Sequence, residues 1–138
     1  MEIRYVQTAD KDAWLRLDRH LPEAEFERKV RDNTGYVLLE NNEVIGVLRY
    51  NLFWDIIPFC NLIFIDNHCQ RAGYGRKLME FWENDMKSQG HDMIMTSTQS
   101  DETAQHFYRK LGYSDSGGLL INIPKHEQPM EIFFIKSI

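Results

Sequence analysis

Gln70-Arg71-Ala72-Gly73-Tyr74-Gly75 lies between a nearly continuous apolar run, Phe59–Asp66, and a stretch carrying Leu78, Met79, Phe81, Trp82 and Met86 at helical spacing. The apolar run reads as a strand buried on both faces, and the second stretch as an amphipathic helix closed by Gly90. A helix start leaves four backbone N–H groups unpaired and carries a partial positive charge. Glycines at that start let the backbone approach an anion with no Cβ in the way. Arg71, Arg76 and Lys77 add formal charge there, which suits a pyrophosphate or phosphate ester. The same glycines also suit a plain tight turn, so the loop by itself leaves both readings open. No Gly-Lys-Ser/Thr follows, which excludes a Walker-type loop. Only two glycines are present and Asp92 stands before its strand rather than after it, which excludes a dinucleotide fingerprint.

Working outward, Ile3–Val6 reads as a first strand, with Thr8 or Asp10 able to cap a helix start. Trp14, Leu17 and Leu21, with Leu15 beside them, form a helical stripe, and Pro22 suits the first turn of a second helix carrying Phe26 and Val30. Asp32-Asn33-Thr34-Gly35 is turn chemistry. Tyr36–Glu40 and Val44–Tyr50 are strands joined through Asn41-Asn42 as a hairpin, and Asn51–Pro58 reads as a loop or bulged connection. Beyond the central helix, Asp92–Thr98 is a strand. Ser100-Asp101-Glu102 supplies a cap and two carboxylates to a helix with Ala104, Phe107, Tyr108 and Leu111, closed by Gly112. Gly117-Gly118 marks a turn or bulge before a last strand, Glu131–Lys136. The sum is one α+β domain over residues 1–138 with a mixed sheet.

Composition narrows the function. The chain has 138 residues, 43% of them hydrophobic and 27% charged, which suits one compact domain. Its net charge of −5 lacks the basic face that a nucleic-acid binder needs. It is compatible with a cationic substrate. No apolar run is long enough to cross a bilayer, and Met1–Val6 enters a strand pattern without a signal-peptide core, so a cytoplasmic location is expected. The two cysteines, Cys60 and Cys69, form no CxxC, and the five histidines have no neighbour at ligand spacing. No metal site is expected.

The helix Asp101–Gly112 carries the second motif. Ala104, Phe107 and Leu111 fall on one face, with Tyr108 at its edge, where a phenol can be an ordinary core-edge aromatic or an acid. The pattern Ala104-x-x-Phe107-Tyr108-x-Lys110-Leu111-Gly112-Tyr113, some thirty residues after Gln70-x-x-Gly73-x-Gly75, resembles the GNAT superfamily of N-acetyltransferases, and the order of elements is similar over nearly the whole chain. The resemblance implies a central, mostly antiparallel mixed sheet flanked by about four helices and splayed between its fourth and fifth strands, with acetyl-CoA in the cleft as co-substrate. It also implies that Arg71, Ala72, Gly73, Tyr74, Gly75 and Arg76 meet the pyrophosphate. Ile63 and Ile65 would pair through their backbone with the pantetheine arm and thioester carbonyl. Tyr108 would act as general acid to the CoA thiolate, a role that suits a group protonated at neutral pH. The family often has Asn where this chain has Asp101, and a carboxylate near CoA phosphates is unfavourable.

The implied reaction is direct acetyl transfer to a primary amine of a small molecule or peptide. The alternative is a non-catalytic CoA-binding sensor or interaction module of the same fold. Asp55, Asp66, Glu25 or a water are candidate bases, and none stands out, since each carboxylate also reads as a solvated surface group. The first two helices and Phe53-Trp54-Asp55 are expected to line the acceptor pocket. A homodimer through the last strand or another sheet edge is a further expectation.

Overall fold

The computed structural model describes residues 1–138. Strand β1 (Glu2–Tyr5) leads through a 3-10 turn at Thr8–Asp10 into helices α1 (Lys11–Leu17) and α2 (Glu23–Asp32). Strands β2 (Gly35–Glu40), β3 (Glu43–Phe53) and β4 (Ile57–Ile65) follow as an antiparallel meander. A second 3-10 turn, Asn67–Cys69, precedes helix α3 (Tyr74–Ser88) and strand β5 (Met93–Gln99). Helix α4 (Ala104–Lys110) and strands β6 (Ser114–Leu119) and β7 (Glu131–Ser137) complete the chain. The seven strands form one sheet in the order β1-β2-β3-β4-β5-β7-β6, antiparallel except for the parallel pair β4–β5. This is the mixed α+β architecture that the sequence implied.

Strand alternation divides the core into two layers. Tyr36 and Leu38 on β2 face the side where Leu78, Trp82 and Met86 of α3 and Tyr108 and Leu111 at α4 pack. Val37 and Leu39 face the other side, against Trp14 of α1 and Phe26 of α2. Burying Trp14, Phe26 and Trp82 completely contributes on the order of 2–3 kcal/mol each. Those contacts hold both helix layers on the sheet.

The feature that makes the site is where the sheet parts. β4 and β5 are in register only at Phe59↔Met95 and Cys60↔Thr96, and beyond them β4 continues to Ile65 and β5 to Gln99 unpaired with each other. On the other edge of β4, Tyr50 pairs with Cys60 and Arg49 with Leu62, so Asn61 has no opposite residue. One extra residue in a strand bends it. The bulge thus falls where β4 turns away from β5.

Several local expectations are corrected. Asn51–Pro58 is not an open connection: β3 runs on through Phe53 and β4 starts at Ile57, joined by a short turn in which Trp54 and Asp55 have φ of 54° and 64°. The run Leu52-Phe53-Trp54 and Ile56-Ile57-Pro58 lacks alternation and contains a proline, which hides the strand. The α1 stripe stops at Leu17, leaving Leu21 outside. Asp18 departs there to accept from Trp14 Nε1 at 3.2 Å and from Arg49 Nε at 2.7 Å. Pro22 is the residue before α2, not in its first turn. Helix α4 starts at Ala104, after a turn at Ser100–Thr103, because Ser100 N–H is still tied to Met130 O at 2.8 Å and Gln105 Nε2 holds the Ser100 and Glu102 carbonyls. The last strand is interior, between β5 and β6, so it offers no edge to a second copy; the sheet edges are β1 and β6. No helix is long and apolar enough to cross a membrane.

Candidate active site

A cleft of about 680 Å³ opens where β4 leaves β5. The end of β4 forms one wall, with Ile63, Phe64 and Ile65. The loop Cys69–Arg76 forms the end, and α4 forms the other wall, with Ala104, Phe107 and Tyr108. Of the residues singled out by sequence, Ile63, Ile65, Arg71, Gly73, Tyr74, Gly75, Arg76 and Tyr108 all line this one cleft. Ala72 is exposed and is not among the lining residues. Asp101 is exposed and also lies outside it.

The loop has the backbone of an anion cradle. Gly73 precedes α3 with φ 82°, in the left-handed region, and a Cβ placed on it would meet nothing within 4 Å. Arg71 is also left-handed, at φ 68°. The first hydrogen bond of the α3 ladder runs from Lys77 N–H to Gly73 O at 3.1 Å. The N–H groups of Tyr74, Gly75 and Arg76 therefore precede the ladder and point out of the helix start. Arg71 and Arg76 stand beside them. The loop is anchored at both ends: Gln70 Nε2 donates to Ile65 O at 2.9 Å, and Tyr74 O–H donates to Glu40 at 2.9 Å. Gly75 is placed differently. A Cβ there would sit in van der Waals contact, 3.4 Å from Cζ of Phe107, because α4 packs on the start of α3 at this residue. The two sequence motifs are thus one packed unit.

The β4 wall offers backbone. Asp66 N–H donates to Ile45 O on the β3 side at 2.7 Å. Alternation then turns the amides of Ile63 and Ile65 away from β3, toward the parted side. The Ile65 carbonyl is taken by the Gln70 side chain. Ile65 N–H and both backbone groups of Ile63 face the parted side.

Tyr108 reaches the fork from α4. It is 5% exposed, packed edge-on to Tyr113 and tilted against Phe134, with ring centroids 5.8 and 5.7 Å away. Burial pushes the phenol above its ordinary pKa, with smaller upward contributions from Cys60, Glu102 and Glu131 against a small downward one from the nearby Thr96 hydroxyl. It is therefore protonated at neutral pH. Thr96 Oγ1 gives its own hydrogen to Cys60 O at 3.0 Å, across the last paired residues of β4 and β5.

The three carboxylates considered as bases are elsewhere. Asp66 accepts from His68 N–H at 3.1 Å and lies 3.8 Å from Arg16, capping the turn after β4. Asp55 borders a separate hollow with Lys29, Tyr50 and His91. Glu25 is on α2, paired with Arg28. Cys60 is buried and burial pushes its thiol up to about 12, which removes it as a nucleophile. His, Cys, Asp and Glu side chains gather nowhere in the number a metal needs. Thr103, His106 and Lys110 also line the cleft, and sequence reading passed over them. His106 and Lys110 are four apart on α4, a same-face spacing that could have found them once Tyr108 was placed.

The fold and this cleft together define an acetyltransferase-type domain, and the comparisons agree. The profile of the Acetyltransferase (GNAT) family matches residues 3–113. The chain belongs to that family. Its structure resembles the ribosomal-protein-S18-alanine N-acetyltransferase from Escherichia coli, with a TM-score of 0.81 at 18% identity, covering 99% of this chain and 93% of that one. It resembles Ard1 from Thermoplasma volcanium, with a TM-score of 0.87 at 16% identity over 99% and 97% of the two chains. It also resembles a putative acetyltransferase from Salmonella typhimurium solved with its cofactor acetyl-CoA, with a TM-score of 0.81 at 16% identity over 99% and 93%. At these identities the likeness concerns the fold. No curated protein matches the chain.

Proposed function

We propose that the chain transfers an acetyl group from acetyl-CoA to a primary amine of a small molecule or peptide. The observation that carries this is the fork: a parted pair of strands with a helix start and two arginines at one end and a buried phenol at the other. The residues fit the co-substrate, because the open cradle at Gly73 and the free amides of Tyr74, Gly75 and Arg76 are matched to a pyrophosphate. The backbone of Ile63 would hold the pantetheine amides, and Ile65 N–H would polarise a carbonyl oxygen. Acetyl-CoA supplies an activated acetyl carbon and a thiolate leaving group. Tyr108 Oη holds a proton that it can give to sulfur. Its raised pKa means it parts with that proton only as thiolate charge develops.

The test is calorimetric titration with acetyl-CoA, native protein against Gly73→Ala, followed by thiol release with a panel of amines. Micromolar binding weakened in the variant, with turnover of an amine, is expected. Absence of binding by the native protein would sink the assignment. Binding with no turnover of any amine would favour the non-catalytic module.

A further inference from the structure

With Asp55, Asp66 and Glu25 placed elsewhere, no carboxylate lines the cleft. Two carboxylates remain close enough to act on the Tyr108 phenol, Glu102 and Glu131. Glu102 is exposed, in the turn before α4, with Thr98 Oγ1 at 3.4 Å. Glu131 is different. It is half-buried at the start of β7, and Ser97 Oγ donates to its carboxylate at 2.9 Å.

The sheet's alternation shows which face each group occupies. Ile94 on β5 packs into the α3/α4 layer, and Thr96 reaches Cys60 O beside Tyr108. Ser97, the next residue, therefore points to the opposite face. On β7, Ile132 and Phe134 also pack into the α3/α4 layer, so Glu131 and Phe133 share the Ser97 face. Phe133 is in register with Ser97, and its ring meets that of Phe59 on β4 with centroids 5.9 Å apart. Phe53 stacks on Phe59 at 6.1 Å. All three rings are only half-buried. The result is an aromatic row that reaches Phe133, one residue along β5 from the last β4–β5 pair, and ends in the carboxylate of Glu131, level with Gln99. Helices α1 and α2 pack against β2–β4 residues of that face.

We propose that Glu131, held by Ser97, receives the ammonium group of the acceptor and takes its proton, on the sheet face opposite Tyr108. This rests on the acetyltransferase reading above and names the acceptor that reading left open: a primary alkylammonium with an apolar or aromatic flank. The carboxylate neutralises the cation, and the faces of Phe59 and Phe133 favour both the cation and the carbon chain behind it. The step balances. One N–H bond of the ammonium breaks, its proton goes to the Glu131 carboxylate and then to water, and the electron pair stays on nitrogen. Base and acid then approach the fork from its two faces.

The experiment uses the full chain and 2-phenylethylammonium as probe, with 2-phenylethanol as its uncharged counterpart. Acetyl-CoA binding is measured first, by calorimetry, for native protein, Glu131→Gln, Ser97→Ala and Glu102→Gln. All four should bind it within about 2-fold, a margin small beside the tenfold that 1.4 kcal/mol represents. Probe binding to the CoA-saturated protein and its acetylation are then followed by NMR and by thiol release. Native protein should bind the ammonium and not the alcohol. Glu131→Gln should lose about 100-fold or more in kcat/KM, the size of a general base. The loss should shrink as pH rises and free amine accumulates. Ser97→Ala should fall between, and Glu102→Gln should match the native protein. Equal rates in native and Glu131→Gln would overturn the proposal, as would a greater loss in Glu102→Gln, or equal binding of alcohol and ammonium, or no binding of the ammonium. If Glu131→Gln loses acetyl-CoA binding as well, Ser97→Ala decides: a native rate there overturns the proposal. Failure of the native protein to bind acetyl-CoA is a separate result, and it sinks the reading beneath.

Discussion

At the residue scale the two positions that matter most ask for different things. Tyr108 contributes its ring to the core and its hydroxyl to the fork. Tyr108→Phe keeps the packing on Tyr113 and Phe134 and removes only the oxygen. Its expected result is a kcat lower by about 100-fold or more, with acetyl-CoA affinity and thermal stability nearly unchanged. Steady-state kinetics beside calorimetry would check this, and an unchanged kcat would reduce Tyr108 to a core aromatic. Gly73 contributes only its conformation. With open space around it, Gly73→Ala meets no clash, so its cost is the left-handed backbone, about 1–2 kcal/mol. Either the chain loses that much stability, seen by urea unfolding, or the loop relaxes and acetyl-CoA affinity drops. A variant unchanged in both would show that φ at Gly73 is not what shapes the cradle.

At the element scale, the corner from β1 to α1 shows how a junction holds itself. Burial disfavours ionisation of Asp10, yet two hydrogen bonds from Arg4, at 2.8 and 3.0 Å, and one from Gln7 N–H, at 2.8 Å, outweigh it and hold the carboxyl below its ordinary pKa. A group whose pKa is lowered by folding stabilises above its unfolded pKa, near 4, and loses that contribution as pH falls through the folded value. Native protein should therefore lose more stability than Asp10→Asn between about pH 5 and pH 3 in urea melts, and parallel losses would show the corner carries no such linkage. Elements defined by local chemistry were legible in the sequence. Asn41 and Asn42 both adopt the positive φ that their hairpin turn implied, and the glycine loop stands between the strand and helix expected. What depended on distant pairing was not legible. Glu131 read as the first residue of a last strand, and only insertion of that strand between β5 and β6 brings it to Ser97. Asp66 looked available because its bonds to His68 and Arg16 come from a turn that no periodicity announces. Nor does the sequence announce that Gln70 folds back on the Ile65 carbonyl, which leaves only the N–H of that residue for a ligand.

On the scale of the whole molecule, the sheet is two leaves, β1–β4 and β5–β7–β6, joined at two register pairs and one side-chain bond from Thr96 to Cys60. Below the fork the leaves are also held by the shared α3/α4 core, in which Leu78 and Trp82 pack with residues of both leaves. Above it, the ends of β4 and β5 do not pair with each other. A co-substrate lying in the cleft bridges the leaves and binds only the folded chain. At about 100 times its Kd it adds roughly 2.7 kcal/mol, a rise of about 10 °C in Tm for a domain of this size. Because the ligand spans the fork, hydrogen exchange should slow on both sides of it: at residues 61–65 of β4 and at residues 97–99 of β5, as well as at the loop 70–76. A ligand held by the loop alone would raise Tm but protect only residues 70–76 and the first turn of α3. Comparing exchange with acetyl-CoA and with 3′,5′-ADP, which lacks the pantetheine arm, separates the cases. Acetyl-CoA should protect both leaves and the nucleotide only the loop, and identical protection patterns would mean that the fork is not where the acyl arm lies.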